Sequence, residues 1–183
     1  MNAWREMYVY TPPGYDNSAE KYPVLYLLHG GGEDQRGWAT QGKTNLILDN
    51  LIAENKAKPM IIAMLDGNIG MQGGVAGFGE KALIAFENEL KNGAIPFVES
   101  NFRALSDSKN RALAGLSMGG LQTLHAGIKN TNLFAYLGVF SSGWWANNPA
   151  LTDPQYEFIK NNSATISSNL KELWISQGGK EDI

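Results

Sequence analysis

The segment RALAGLSMGGLQTL, Arg111 to Leu124, constrains this chain more than any other stretch. A short apolar run ends in Gly115-Leu116-Ser117-Met118-Gly119, and a pattern with helical spacing follows at once. GxSxG set between a strand and a helix is the pattern of a nucleophile elbow, a sharp turn with a serine hydroxyl exposed above the sheet. Gly115 and Gly119 are small because backbones pass close together there, and Gly120 extends the clearance. The turn also sets Ser117 at the positive end of the following helix. A serine in an ordinary glycine-rich turn can carry the same short motif, so the flanking elements carry the reading.

The rest of the chain predicts the sheet that such an elbow needs. REMYVYTPPGYD, Arg5 to Asp16, alternates as an edge strand and breaks at Pro12-Pro13-Gly14. YPVLYLLHGGG (Tyr22 to Gly32) and PMIIAMLDGN (Pro59 to Asn68) are continuous apolar runs, as expected of parallel strands buried on both faces. RALAGLS and LFAYLGVFSSGWW supply two more, and ELWISQGG (Glu172 to Gly179) a last strand. Between them, TNLILDNLIAENKA has helical spacing through Leu46, Ile47, Leu51 and Ile52, after a polar loop that holds Trp38. EKALIAFENEL reads as a helix with Leu83, Phe86 and Leu90 on one face, broken by Gly93 and Pro96 before IPFVESNF begins another. The glycines from Gly67 to Gly79 predict an irregular loop, and Asn147 to Asn169 a mixed polar stretch with a short helix around Gln155 to Lys160. Strands alternating with helices make the class α/β with a mostly parallel sheet.

Composition narrows the function classes. The formal charge of −3 advertises no basic surface for nucleic acid or acidic lipid. No apolar run approaches the roughly 20 residues that span a bilayer, and no leader segment is visible before the first strand-like residues. Cysteine is absent, which excludes disulfides and thiolate metal sites but leaves the compartment open. Nothing resembles a metal cluster or a phosphate-binding loop, and no cofactor is implied.

Ligands of such sheets bind outside the carboxyl ends of the strands. The chemically able residues gather there: His29 to Gly32, Asp66 to Asn68, Ser117, Ser141 to Trp145, and Asp182. His29-Gly30-Gly31-Gly32 matches the HGGG-type loop that gives half of an oxyanion hole, where rigid N–H groups meet the charge of acyl transfer. The expected donors are the N–H of Met118 and that of Gly31, with Gly32 as competitor to Gly31. Asp182, just after the last strand, is the candidate acid of a triad; Glu181 is its rival, and a solvated acidic turn the plainer alternative. Neither histidine suits the role of base. His125 lies eight residues past Ser117 on one helix, roughly 12 Å up its axis, far beyond the ~3 Å reach of a hydrogen bond. His29 is expected to hold the glycine loop. Trp38, Trp144 and Trp145 follow three separate strands and are candidates to wall a pocket for an aromatic acyl group or a sugar, against ordinary loop packing. Asp66 is expected to hydrogen-bond within the glycine-rich loop, with orienting a substrate as the alternative.

VYTPPGYD, YPVLYLLHGGG with Trp38 behind it, IPFVESNFR, AGLSMGG and the terminal GGKED together resemble carbohydrate esterase family one of the α/β-hydrolase fold. Esterase D and the antigen-85-like acyltransferases are relatives of that group. The resemblance implies a serine carboxylesterase with Ser117 as nucleophile, Asp182 as acid, and Gly31 and Met118 as oxyanion donors. Members include feruloyl and acetyl-xylan esterases, so the implied partner is a small-molecule or carbohydrate ester, with no nucleic acid and no membrane. Another ester, such as a siderophore ester or S-formylglutathione, or a non-catalytic binding version of the fold, are the alternatives. In the family the catalytic histidine sits in a later loop, beyond Ile183, and the first strands begin earlier. Residues 1–183 are therefore expected to be a single esterase domain, incomplete at both ends, with an apolar edge left open.

Overall fold

The computed structural model of the chain describes residues 4–69, 79–144 and 148–179. Six strands form one sheet: β1 (Met7–Tyr10), β2 (Val24–Leu28), β3 (Ile61–Leu65), β4 (Arg111–Leu116), β5 (Tyr136–Phe140) and β6 (Glu172–Ser176), in the order β1-β3-β2-β4-β5-β6. β1 runs antiparallel to β3 at one edge, and the remaining four pairings are parallel. Every residue of β3 is buried, as its unbroken apolar run predicted. β1 takes the edge because Pro12 and Pro13 follow it and cannot extend a ladder.

Strand alternation sends side chains to two helical layers. Tyr26, Leu28, Ile61, Ala63, Leu65 and Leu113 pack into the larger core. That core is closed by α3 (Glu80–Glu89), α4 (Ile95–Asn101), α5 (Met118–Lys129) and part of α6 (Pro149–Asn169). Leu27, Ile62, Met64 and Ala114 face the other way, onto α2 (Thr44–Ala53) and Trp38. Both faces of the central strands are thus covered, and the architecture is the mostly parallel α/β sheet that the sequence predicted.

Four local expectations change. The loop holding Trp38 contains one short helical turn, α1 (Gly37–Thr40). In α2 the buried position is Leu48, while Leu46 and Ile47 are more than half exposed. Gly93 and Pro96 do not break the helix: a π-helical turn, Leu90–Ala94, joins α3 to α4 without interruption. Pro96 follows directly on the π turn, whose altered bonding accommodates the N–H that proline lacks, and Leu90, Ile95 and Val98 stay buried through the junction. The short helix expected near Gln155 is in fact a helix of 21 residues, α6, entered at Pro149 and buried only at Leu151, Thr152, Gln155 and Ile166. At the far edge, β6 leaves Leu173, Trp174 and Ile175 exposed.

Candidate active site

The β4–α5 junction is the elbow the motif predicted. Ser117 has φ 51° and ψ −111°, a backbone region that side-chain-bearing residues rarely occupy. Its N–H donates to the Phe140 carbonyl at 2.9 Å, tying the apex to β5. The first bond of the helical ladder runs from the Leu121 N–H to the Ser117 carbonyl, 3.0 Å. The amides of Met118, Gly119 and Gly120 therefore precede that ladder at the open end of α5. Ser117 is exposed, while the Met118 side chain is fully buried and anchors the first helical residue.

The three elbow glycines are steric requirements. A Cβ on Gly115 would lie 2.3 Å from the Gly119 carbonyl carbon and oxygen. One on Gly119 would stand 2.6 Å from Leu28 Cβ and 2.7 Å from the His29 carbonyl, and one on Gly120 2.5 Å from Ser142 Cβ. The helix start is thus pressed onto the end of β2, where the HGGG loop begins. Leu28 pairs with Gly115 in the sheet, and a Cβ on Gly30 would lie 3.8 Å from the Leu116 side chain. The two sequence-predicted segments are brought side by side.

The loop is braced at both ends. The Gly30 N–H donates to Glu33 Oε2 at 2.9 Å, the Glu33 N–H to the Gly30 carbonyl at 3.3 Å, and Asn68 Nδ2 to the Glu33 carbonyl at 2.8 Å. Below it, Trp38 Nε1 donates to the Leu28 carbonyl at 2.8 Å. Gly31 and Gly32, between the braced residues, are exposed, and Gly32 takes φ 83°, which suits glycine. Beside them, Gly32, Glu33, Asp34, Arg36 and Thr40 help line an open, mostly polar depression of about 360 Å³.

The family model described as "Putative esterase" matches residues 1–183. The chain belongs to this esterase family. A relative, the endo-1,4-beta-xylanase/feruloyl esterase of Xylanibacter ruminicola, is 38% identical across 90% of this chain. The chain spans 24% of that relative's length. Among solved structures, a ferulic acid esterase is similar with a TM-score of 0.71 and 28% identity, over 90% of this chain and 65% of that one. A serine-to-alanine mutant of the feruloyl esterase module from Clostridium thermocellum, complexed with sinapinate, is similar with a TM-score of 0.68 and 28% identity, over 88% and 61% of the two chains.

In this esterase-family chain both histidines are buried, and His29 has both ring nitrogens hydrogen-bonded. His29 Nε2 receives the Gly67 N–H at 2.9 Å, so that nitrogen holds the lone pair and Nδ1–H donates to the Gly30 carbonyl at 2.7 Å. Burial discourages charging of this ring, and Asp66, 3.4 Å away, with the Gly30 carbonyl more than offsets it, so its pKa lies above the ordinary value. The Gly67 N–H acts the other way, since a protonated Nε2 would set two donors face to face. Asp66 itself is held below the usual carboxylate range despite its burial, by the Asn68 N–H at 2.9 Å and the Arg5 guanidinium. The structural role expected for Asp66 is what the geometry gives it.

His125 is 1% exposed, with neither ring nitrogen hydrogen-bonded among the described residues. Glu87 Oε2 lies 3.6 Å from Nε2 but also serves Lys91 and Asn130 through its other oxygen. Burial, with Lys129 nearby, pushes the His125 pKa down to about 4, against the pull of Glu87. The unfolded chain then binds a proton near pH 6.5 that the folded chain refuses until about pH 4, so stability falls as pH drops through that window. The loss reaches at most about 3 kcal/mol. Urea midpoints measured from pH 7 to 4.5 should fall steadily, and His125→Leu should flatten the slope; parallel curves for the two proteins would refute the assignment to His125.

The tryptophans are packed where the structure describes them. Trp38 meets Phe140 edge-on at 6.4 Å between centroids. Trp144 meets Tyr156 edge-on at 5.7 Å and lies against the cluster of Leu83, Leu121 and Leu151. Trp145, Asp182 and Glu181 lie outside the described residues. Sequence reasoning missed Arg5, Glu33 and Gln122, which brace the loops. Only Glu33 carried any signal, by following the four-residue motif directly.

Proposed function

We propose that this chain is the nucleophile-bearing part of a serine carboxylesterase acting on plant cell-wall carbohydrate, with feruloyl or acetyl esters of xylan as substrates. The observation that carries the reading is the strained, exposed Ser117 at the tip of a glycine-packed elbow, beside a braced HGGG loop. The feruloyl esterase activity named for the relative from Xylanibacter ruminicola and the ferulic acid esterase structures support the substrate class.

Ser117 Oγ attacks the ester carbonyl, and its proton passes to a histidine. The oxyanion is held by the N–H groups of Met118 and Gly31, and the alcohol leaves after taking the proton. Water then attacks the acyl-enzyme by the same route in reverse. Asp182 orients the imidazolium in this scheme. Since His29 spends both nitrogens on Gly67 and Gly30, and His125 is buried against Glu87, the base comes from outside residues 1–183. Trp38, Trp144 and Trp145 are the aromatic candidates for the acyl side, and the polar depression beside Gly32 suits a sugar alcohol.

The test is the full-length protein assayed on methyl ferulate, p-nitrophenyl acetate and S-formylglutathione. Release of ferulate is the expected result. Turnover of S-formylglutathione without methyl ferulate would overturn the carbohydrate-ester reading, and a folded protein inert on all three would favour a binding role.

A further inference from the structure

Gln122 stands five residues beyond Ser117 on α5 and is 1% exposed. Its Nε2 donates to the Gly67 carbonyl at 2.8 Å, 55 residues away in the chain. The Gly67 N–H donates in turn to His29 Nε2, and His29 Nδ1–H to the Gly30 carbonyl. From the same turn, Asn68 Nδ2 reaches the Glu33 carbonyl, and Glu33 closes the circuit on the Gly30 N–H. Gly30 and Glu33 are the two residues that flank Gly31 and Gly32.

A second feature ties the turn to Gln122. A Cβ on Gly67 would lie 2.7 Å from Gln122 Oε1, so only glycine lets the turn approach the amide this closely. On its other side the turn is clamped by Arg5, which donates to the carbonyls of Asp66 at 2.6 Å and Asn68 at 3.3 Å. Residues 66–68 are therefore a hub. One hand grips the helix that carries Ser117, and the other grips both ends of the loop that carries the candidate oxyanion donors.

We infer that Gln122 is a positioning residue that sets the Gly31 amide relative to Ser117, through Gly67 and His29. The inference rests on the esterase reading above. An oxyanion hole works only when its donors are fixed where charge will appear, because reorganisation during the reaction would forfeit the gain. One donor of the pair belongs to the N-terminus of α5 and the other to a loop after a different strand. A bond from α5 to the turn that holds that loop gives the two donors a common frame. Loss of the bond frees the loop while leaving Ser117, its elbow and the substrate-facing surface in place.

The experiment uses Gln122→Met, which keeps the side-chain volume and removes the donor, and Asn68→Ala, which cuts the second arm at a half-buried site. Steady-state kinetics of the full-length protein on methyl ferulate should show kcat lower by ~10-fold or more for Gln122→Met, since an ångström of misplacement can cost about a hundredfold. KM should change little. Asn68→Ala should show the same split at smaller size. Hydrogen exchange of the same proteins should speed up in the peptides covering residues 28–34 and 66–69 and stay unchanged in β4 and β5. Unchanged exchange in residues 28–34, or faster exchange there with wild-type kcat, overturns the inference. Should Gln122→Met exchange faster throughout the molecule, it reports a general loss of stability and Asn68→Ala decides: faster exchange confined to residues 28–34 and 66–69 with lower kcat supports the inference, and wild-type exchange or wild-type kcat overturns it. A wild-type protein inactive on every ester overturns the esterase reading instead, and the exchange data still decide whether Gln122 controls the loop.

Discussion

Ser117→Ala should lower ester hydrolysis by the full-length protein by about 10⁴-fold or more, leaving at most the residual acceleration that an oxyanion hole and binding give without a nucleophile. The stability cost should be small. The Ser117 side chain is exposed, and the bonds that shape the elbow, from the Ser117 N–H to Phe140 and from Leu121 to the Ser117 carbonyl, are made by backbone. Alanine keeps those bonds, although it shares the unfavourable positive φ that serine already tolerates. Because the hydroxyl would act in the transition state and touch little of the ground state, kcat should fall far more than KM rises. A fluorophosphonate probe should label the wild-type protein at Ser117 and fail on the variant. Near-wild-type turnover by Ser117→Ala, or a label found on another residue by mass spectrometry, removes Ser117 from the mechanism.

Gly115→Ala should be the most damaging glycine-to-alanine change among the described residues. Its Cβ would meet the Gly119 carbonyl carbon and oxygen at 2.3 Å and Gly119 Cα at 2.9 Å, all of them backbone, so no side-chain rotation relieves the overlap. Relief requires moving α5 off β4, which also strips contacts from Met118 and Leu121, both almost fully buried. The expected cost exceeds about 4 kcal/mol, a large part of the 5–15 kcal/mol that holds a typical domain. The variant should be largely insoluble or melt far below the wild type. Gly93→Ala is the matched control: the nearest atom to its Cβ would be Glu89 Cγ at 3.9 Å, and the change should stay within roughly 1 kcal/mol of wild type. Equal melting temperatures for Gly115→Ala and Gly93→Ala would show that the elbow is far looser than its geometry.

The strands were readable because parallel strands buried on both faces need unbroken apolar runs, and Val24–Leu28 and Ile61–Leu65 are such runs. Helix α6 was not. It buries only four of its 21 residues, so no continuous apolar stripe marks it, and the long polar stretch read as mostly irregular. Gly93 and Pro96 are breakers by local propensity, yet the chain carries on through a π-helical turn that keeps Leu90 and Ile95 buried. Burial in the core outweighed the local preference, as tertiary context commonly does. For Leu46, Ile47, Leu51 and Ile52 helical spacing gave the element, while which side meets the sheet, with Leu48 buried, depends on where the sheet lies.

The sequence by itself determined the elbow and the glycine loop, since each is a local demand: a backbone that must turn sharply, or approach another closely, selects glycine within a few residues. It also determined that His125 could not reach Ser117, because helix rise fixes that distance whatever the surroundings. Only the tertiary structure decided what holds those pieces in register. The bond from Gln122 to Gly67 and the grip of Asn68 on Glu33 join residues 55 and 35 positions apart. Hydrogen bonds between distant segments leave no periodicity or spacing in the chain. They exist only once β2, β3 and β4 lie side by side and bring their carboxyl ends to one rim.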